Sequence, residues 1–253
     1  MKFLQAIAAA FILSGAAMST AIVPTNASDI NLDKMDKQVR NPSVQIGQDG
    51  RPFCSGTIIQ SKRDEKTGKV STGVLTAQHC VSEAPFKNFE IIIPKYGSTG
   101  MVISREVYVG KISKQGSDTN DLAIIALADD GTSFADRAAT VADKSYNPRP
   151  GSSVYVSGYP AGRDWAITEG RFSSREEYRF PDESHETEYY RTSASIIGGN
   201  SGGGLFDVTA SGDFQLIGVA DWGLARGGTT TFGAYTPADR VSEFITSWSG
   251  YKK

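Results

Sequence analysis

Twelve short apolar or alternating runs, separated by glycine, proline, asparagine and aspartate turns, constrain this 253-residue chain more than any other feature. Six fall at residues 44–46, 57–59, 70–77, 89–93, 102–112 and 122–127. After the break Asn147-Pro148-Arg149-Pro150-Gly151, six more fall at 153–157, 165–168, 188–193, 204–206, 214–220 and 230–235. Runs of this length with such turns make an all-β chain, and six plus six suggests two similar six-stranded barrels. Internal repetition is not visible, so the duplication rests on counting strands. The period then changes. Thr236 suits a helix N-cap, Pro237 the first helical position and Asp239 the first turn, while Val241, Phe244, Ile245 and Trp248 recur at helical spacing. A C-terminal helix over 237–249 is expected, docking one apolar face on a barrel.

The first 27 residues have the form of a secretory signal: Lys2 at the positive end, an apolar stretch from Phe3 to Ala17, and small-residue cleavage sites at Ser19-Thr20-Ala21 or Thr25-Asn26-Ala27. The expected location is secreted or periplasmic. The apolar stretch is shorter than the ~20 residues of a membrane span, so no stable membrane association is expected. Residues 28–40 are polar, with Asp29, Asp33, Lys34, Asp36, Lys37 and Arg40, and suit a pro-segment or an N-terminal arm. The net charge of −2 without basic runs gives no footprint for nucleic acid.

Chemistry concentrates at Gly198-Gly199-Asn200-Ser201-Gly202-Gly203-Gly204, where five glycines surround one serine. The run is either a linker or a backbone bent too tightly for side chains; apolar flanks at Ile196-Ile197 and Leu205-Phe206 favour the bend. A tight turn exposes a hydroxyl and aims successive N–H groups at one point. A serine nucleophile needs an imidazole base, and the chain has two histidines. His79 ends the strand-like Val74-Leu75-Thr76-Ala77-Gln78, whereas His185 lies in a charged, loop-like segment, so His79 is the stronger candidate. Asp121, opening Leu122-Ala123-Ile124-Ile125, is the candidate acid, with a plain turn residue as its alternative.

Thr76-Ala77-Gln78-His79-Cys80, Asp121-Leu122-Ala123 and Gly199-Asn200-Ser201-Gly202-Gly203, in the order His, Asp, Ser, resemble the chymotrypsin/trypsin-like serine peptidases, from about Val44 to the C-terminus. Gly199-x-Ser201-x-Gly203 also fits the nucleophile elbow of α/β-hydrolases, but that order requires a histidine after the serine and none follows Ser201. Two histidines and two cysteines in separate contexts offer no metal-ligand cluster, and neither metal nor cofactor is expected.

The resemblance implies a peptidase domain over 41–253, with a first barrel at 41–140, a second at 145–236 and the active site between them. It implies His79, Asp121 and Ser201 as the triad of a secreted serine endopeptidase working through an acyl-enzyme, with the N–H groups of Gly199 and Ser201 as oxyanion hole. It also implies Ser195 as the floor of the primary pocket, Ile196 in one wall, Asp221, Trp222 and Gly223 in another, and Gly233 on the far side. In an oxidising compartment Cys54 and Cys80 should bridge, as an equivalent pair does in the family. The family's animal digestive members start with Ile-Val-Gly-Gly, whose amine pairs with an aspartate before the serine. This chain has no such tetrapeptide and has Asn200 at that position, so it looks more like the bacterial branch that includes glutamyl endopeptidases. Asp221 would repel an acidic substrate side chain, which disfavours glutamate specificity itself; it could instead attract a basic side chain or bond near Asp121, and the sequence leaves these open. Expected partners are a protein or peptide substrate, with the enzyme a monomer. The alternative is a protease-like binding module or effector without catalysis.

Overall fold

A computed structural model describes residues 30–82, 88–179, 186–226 and 229–251. The expected signal segment, residues 1–27, and His185 lie outside them. Asn31–Lys253 forms one compact unit. Its first half holds β1 (Ser43–Gln48), β2 (Arg51–Arg63), β3 (Val70–Thr76), β4 (Phe89–Tyr96), β5 (Val102–Gln115) and β6 (Ala123–Leu127), closed in the order β1-β2-β3-β6-β5-β4. The second half holds β7 (Ser153–Gly158), β8 (Ala166–Arg179), β9 (Glu186–Thr192), β10 (Gly204–Val208), β11 (Phe214–Arg226) and β12 (Thr229–Pro237), closed as β7-β8-β9-β12-β11-β10. The two orders are the same, so the duplication that the sequence hides is present in the topology. Every strand pair is antiparallel, and closure removes sheet edges.

Each barrel is filled from its own inward residues. Val44, Ile46, Ile58, Val74, Ile91 and Ile125 make the first core, and Val154, Val156, Phe172, Tyr190, Leu205 and Ile217 the second. Alternation aims these side chains inward, and burying each aliphatic one stabilises by about 1.5–3 kcal/mol. Several strands outrun their apolar stretches. β2 spans Arg51–Arg63, far beyond 57–59, and β8 continues from 166 to 179 through Arg171, Ser173, Arg175 and Glu177. Much of that added length has polar residues on both faces, so no hydrophobic alternation announces it.

The terminal helix, Ala238–Thr246, is shorter than expected and capped differently. Thr236, next to last in β12, donates its hydroxyl to the carbonyl of Asn120 (3.1 Å), while Pro237, extended and without a side-chain cap bond, ends the strand and occupies the cap position. Val241, Phe244 and Ile245 are buried as the spacing required. Trp248, past the helix, donates from its indole to Ser113 (2.9 Å) and lies over Gly73 of β3, where a β-carbon would sit 2.5 Å from the ring.

At the other end, a helical turn at Leu32–Met35 runs into a π-helical turn at Asp36–Arg40. Lys34 pairs with Asp213 (2.8 Å), the Gln38 amide carbonyl accepts from Phe214 N, and Met35 and Val39 are buried. Arg40 stacks over Tyr96 of β4 at 4.3 Å. Asn31–Arg40 therefore packs as an arm against both halves.

Cys54 and Cys80 form a disulfide between β2 and the turn after β3. Closing a ring with a sequence separation of 26 stabilises by about 3.5 kcal/mol in the chain-entropy account. Cys54→Ser with Cys80→Ser is expected to lower the unfolding free energy by an amount of that order, read as a fall in the midpoint of denaturant unfolding. An unchanged midpoint would show that the barrel alone holds the turn.

Candidate active site

β3 ends at Thr76 and the chain turns through Ala77 and Gln78 into a single helical turn, His79–Ser82. Val81 and Ser82 donate their N–H groups to the Gln78 carbonyl, and the bridge ties Cys80 to β2, so the backbone of His79 is held on both sides. Asp121 sits on the tight turn before β6, where its own N–H reaches Ser117 O (3.0 Å). Its φ of +40° is left-handed, a region that aspartate tolerates better than most residues. That twist aims the carboxylate back at the histidine.

The two oxygens of Asp121 do separate jobs. Oδ1 accepts from the backbone N–H of His79 at 2.8 Å, and Oδ2 lies 2.8 Å from Nδ1 of the ring. An ionised carboxylate can only accept, so Nδ1 carries the proton and Nε2 is left as the basic nitrogen. Asp121 is only 6% exposed, and a buried charge with two hydrogen bonds is a fixed one. Next to it, Asn120 is held by Thr236 and by Arg240, whose guanidinium meets Asn120 Oδ1 at 3.2 Å and Glu188 at 3.0 Å. Hydrogen bonds from Arg175, ahead of those from Arg240, hold the Glu188 carboxyl below its ordinary range. No pattern in the sequence marks Arg240 or Thr236 for this support, since both read as parts of the terminal helix.

The glycine run is a bend, as its flanks implied, with one difference. Leu205 and Phe206 are fully buried in β10, but Ile197 is 54% exposed and only Ile196 enters the second core. Ser201 O accepts from Ser55 N (2.8 Å) and lies 3.7 Å from Cys80 Sγ, which brings the serine to the turn that carries His79. Gly202 has φ +80° and presses on Thr76 and Ala77, leaving no room for a β-carbon.

The amides of the bend follow a pattern. Asn200 donates to Ile197 O, Gly202 to Ala220 O and Gly203 to Asn200 O. The N–H groups of Gly199 and Ser201 donate to no acceptor among the described residues. Those two are the proposed oxyanion donors, and the intervening carbonyls are tied outward. Gly198 O accepts from Ala161 N (2.7 Å), and Gly199 O from the Ser55 hydroxyl (2.7 Å), which itself accepts from Tyr159 N. Ser55 and Ala161, the latter at φ +55°, are therefore supports that sequence reading missed. Only the position of Ser55 beside Cys54 offered a signal.

The pocket candidates spread along one strip. Gly223 pairs with Gly233, and a β-carbon on Gly233 would stand 2.7 Å from Ala194 O, so a bare glycine meets the 193–197 segment. Ser195 is exposed and Ile196 buried, as alternation along that segment requires. Trp222 packs among Tyr178, Tyr189 and Phe232 with ring centroids 5.1–5.7 Å apart. Asp221, expected in the pocket wall or bonded near Asp121, brings a carboxylate oxygen to 4.0 Å from His79 Nδ1. His79, Asp121 and Asp221 thus place one ligand-type atom each within 4.8 Å of one another, a grouping that the separated sequence contexts did not disclose. The other such group, Cys54, His79 and Cys80, has its sulfurs committed to the bridge.

Residues 54–219 match the family described as the trypsin-like peptidase domain. Trypsin epsilon of Drosophila erecta is 25% identical over 228 residues, 80% of each chain. Among solved structures, the active form of the Rv3671c protease from M. tuberculosis is similar with a TM-score of 0.59 and 20% identity, over 84% of this chain and 82% of that one. The protease domain of MamO from Magnetospirillum magneticum has a TM-score of 0.60 and 18% identity, over 81% and 96%. These two likenesses are of fold.

Proposed function

This chain belongs to the trypsin-like peptidase family, and from that premise we propose that it is an exported serine endopeptidase. The observation that carries the reading is the pair of 2.8 Å bonds by which Asp121 fixes both the backbone and the ring of His79, beside the bend that presents Ser201. Ser201 attacks the peptide carbonyl and His79 Nε2 takes its proton. The Gly199 and Ser201 N–H groups receive the oxyanion, each worth about 2.7–4 kcal/mol in systems of this kind. His79 then protonates the leaving amine, and water hydrolyses the acyl-enzyme by the same route. Asp121 stays ionised throughout and steadies the imidazolium.

Export is supported by residues 1–27 and by the disulfide, which suits an oxidising compartment. Among the described residues no helix is long and apolar enough to cross a membrane. Asn200 keeps the reading with the bacterial branch, while Asp221 and the absence of an acidic residue at 195 support neither glutamate nor trypsin-type selection.

A fluorophosphonate probe is expected to label the mature protein at Ser201 alone, as peptide mapping would show, and a peptide library would then give the primary preference. Failure to label, with intact folding, would favour a protease-like binding module instead.

A further inference from the structure

Asp221 follows Ala220, whose backbone is tied to the nucleophile bend: Ala220 O accepts from Gly202 N and Ala220 N donates to Gly203 O, both at 2.8 Å. Across β12 the register runs Ala220 with Tyr235 and then Trp222 with Ala234, leaving Asp221 as the extra residue of a bulge. A bulge re-aims one side chain out of the alternation of its strand. Here the re-aimed chain is a carboxylate, 15% exposed, whose Oδ1 lies 4.0 Å from the same ring nitrogen that Asp121 holds. Asp121 comes from the turn before β6 and Asp221 from β11, while β2 and the His79–Ser82 turn supply Cys54 and Cys80, which are bridged and do not titrate.

We infer that Asp221 is a second carboxylate for His79, a positioning residue that shares the Nδ1 side of the ring with Asp121. Each carboxylate favours the imidazolium, and at partial burial solvent screens the effect only in part. The ring therefore stays protonated to a higher pH than with Asp121 alone. Asp221 also offers an alternative acceptor for Nδ1–H when Asp121 is neutralised. The catalytic side of this inference rests on the serine-peptidase reading, but its electrostatic side does not.

The two-histidine inventory makes a direct test available. In the His185→Ala protein the imidazole Cε1–H resonance belongs to His79 alone. Its titration midpoint, read by NMR, is expected above the ordinary value of about 6.5. It should fall by about one pH unit in both Asp221→Asn and Asp221→Ser. The acidic limb of fluorophosphonate labelling at Ser201 should move down by the same amount. Asp121→Asn should label about tenfold faster than Asp121→Asn combined with Asp221→Asn, because the second carboxylate still orients the ring.

A midpoint unmoved in both Asp221 variants overturns the inference. So does a change in cleavage preference and KM with the acidic limb in place, which would make Asp221 a pocket residue only. A protein that fails to label but shows the midpoint shift supports the electrostatic pairing while removing the serine-peptidase reading.

Discussion

Replacing Ser201 by alanine is expected to lower peptide hydrolysis on the order of 10⁶-fold while leaving the fold and its melting temperature close to unchanged. The fold side of this expectation follows from which atoms hold the bend. Ser201 contributes its carbonyl to Ser55 N, and Gly202 and Gly203 contribute their N–H groups to neighbours, so alanine keeps every one of those bonds. The chemical side follows from the loss of the one hydroxyl that the bend presents, with no free thiol to replace it, since both cysteines are in the disulfide. His79→Ala should lose about as much activity, and the double variant little more than either, because the serine is inert without its base and the base idle without its serine. His79→Ala should also be the less stable of the two. It strips Asp121, buried and charged, of its ring partner and leaves only the backbone N–H of residue 79 to satisfy it. Circular dichroism melts and single-turnover assays with a chromogenic peptide measure both sides. Losses in the two single variants that multiply in the double would show that Ser201 and His79 do not work as one unit.

The same residues show where sequence reading carries and where it stops. Periodicity found twelve strands because each barrel core demands alternation at its centre, as at Val44 and Ile46 or Val154 and Val156. It failed for the outer half of β8, where one face is Arg171, Ser173, Arg175 and Glu177 and the other interrupts Phe172 and Tyr178 with Ser174 and Glu176, too sparse an apolar alternation to read. His79, Asp121 and Ser201 were legible because each sits in a local motif, although 42 residues separate the histidine from the aspartate. Supports made by long-range backbone bonds were not, since Ser55 with Gly199 and Thr236 with Asn120 meet only when both barrels close. Thr236 was misjudged for a physical reason: its hydroxyl could satisfy an amide of its own helix or a distant carbonyl, and its place inside β12 decided for the carbonyl. For Asp221 the sequence left open a pocket wall, attraction of a basic side chain or a bond near Asp121, and the one-residue bulge that brings it to 4.0 Å from His79 Nδ1 has no signature in the chain.

The glycines around Ser201 differ in what they must do, and a pair of substitutions within one run separates them. At Gly202 the backbone has φ +80°, and a β-carbon would stand 2.9 Å from Ala77 N and closer still to Thr76 Oγ1 and Ser55 O. Left-handed strain of about 1–2 kcal/mol adds to overpacking of about 1–3 kcal/mol, and neither obstacle on the backbone is free to move. Gly202→Ala is therefore expected to lose about 3 kcal/mol, read as a fall of roughly 6–12 °C in Tm for a domain of this size. It should also lose activity, because relief of the clash must push Ser201 away from the turn that carries His79, and a displacement of about 1 Å is enough for a hundredfold effect. Gly198 is exposed and lacks the left-handed backbone, and a methyl group added there would meet nothing within 4 Å. Gly198→Ala should leave Tm unchanged or raise it slightly, since alanine there restricts the unfolded chain more than the folded one. Equal losses of stability at 198 and 202 would mean that the run is uniformly flexible, and the bend that presents the nucleophile would have to be given up.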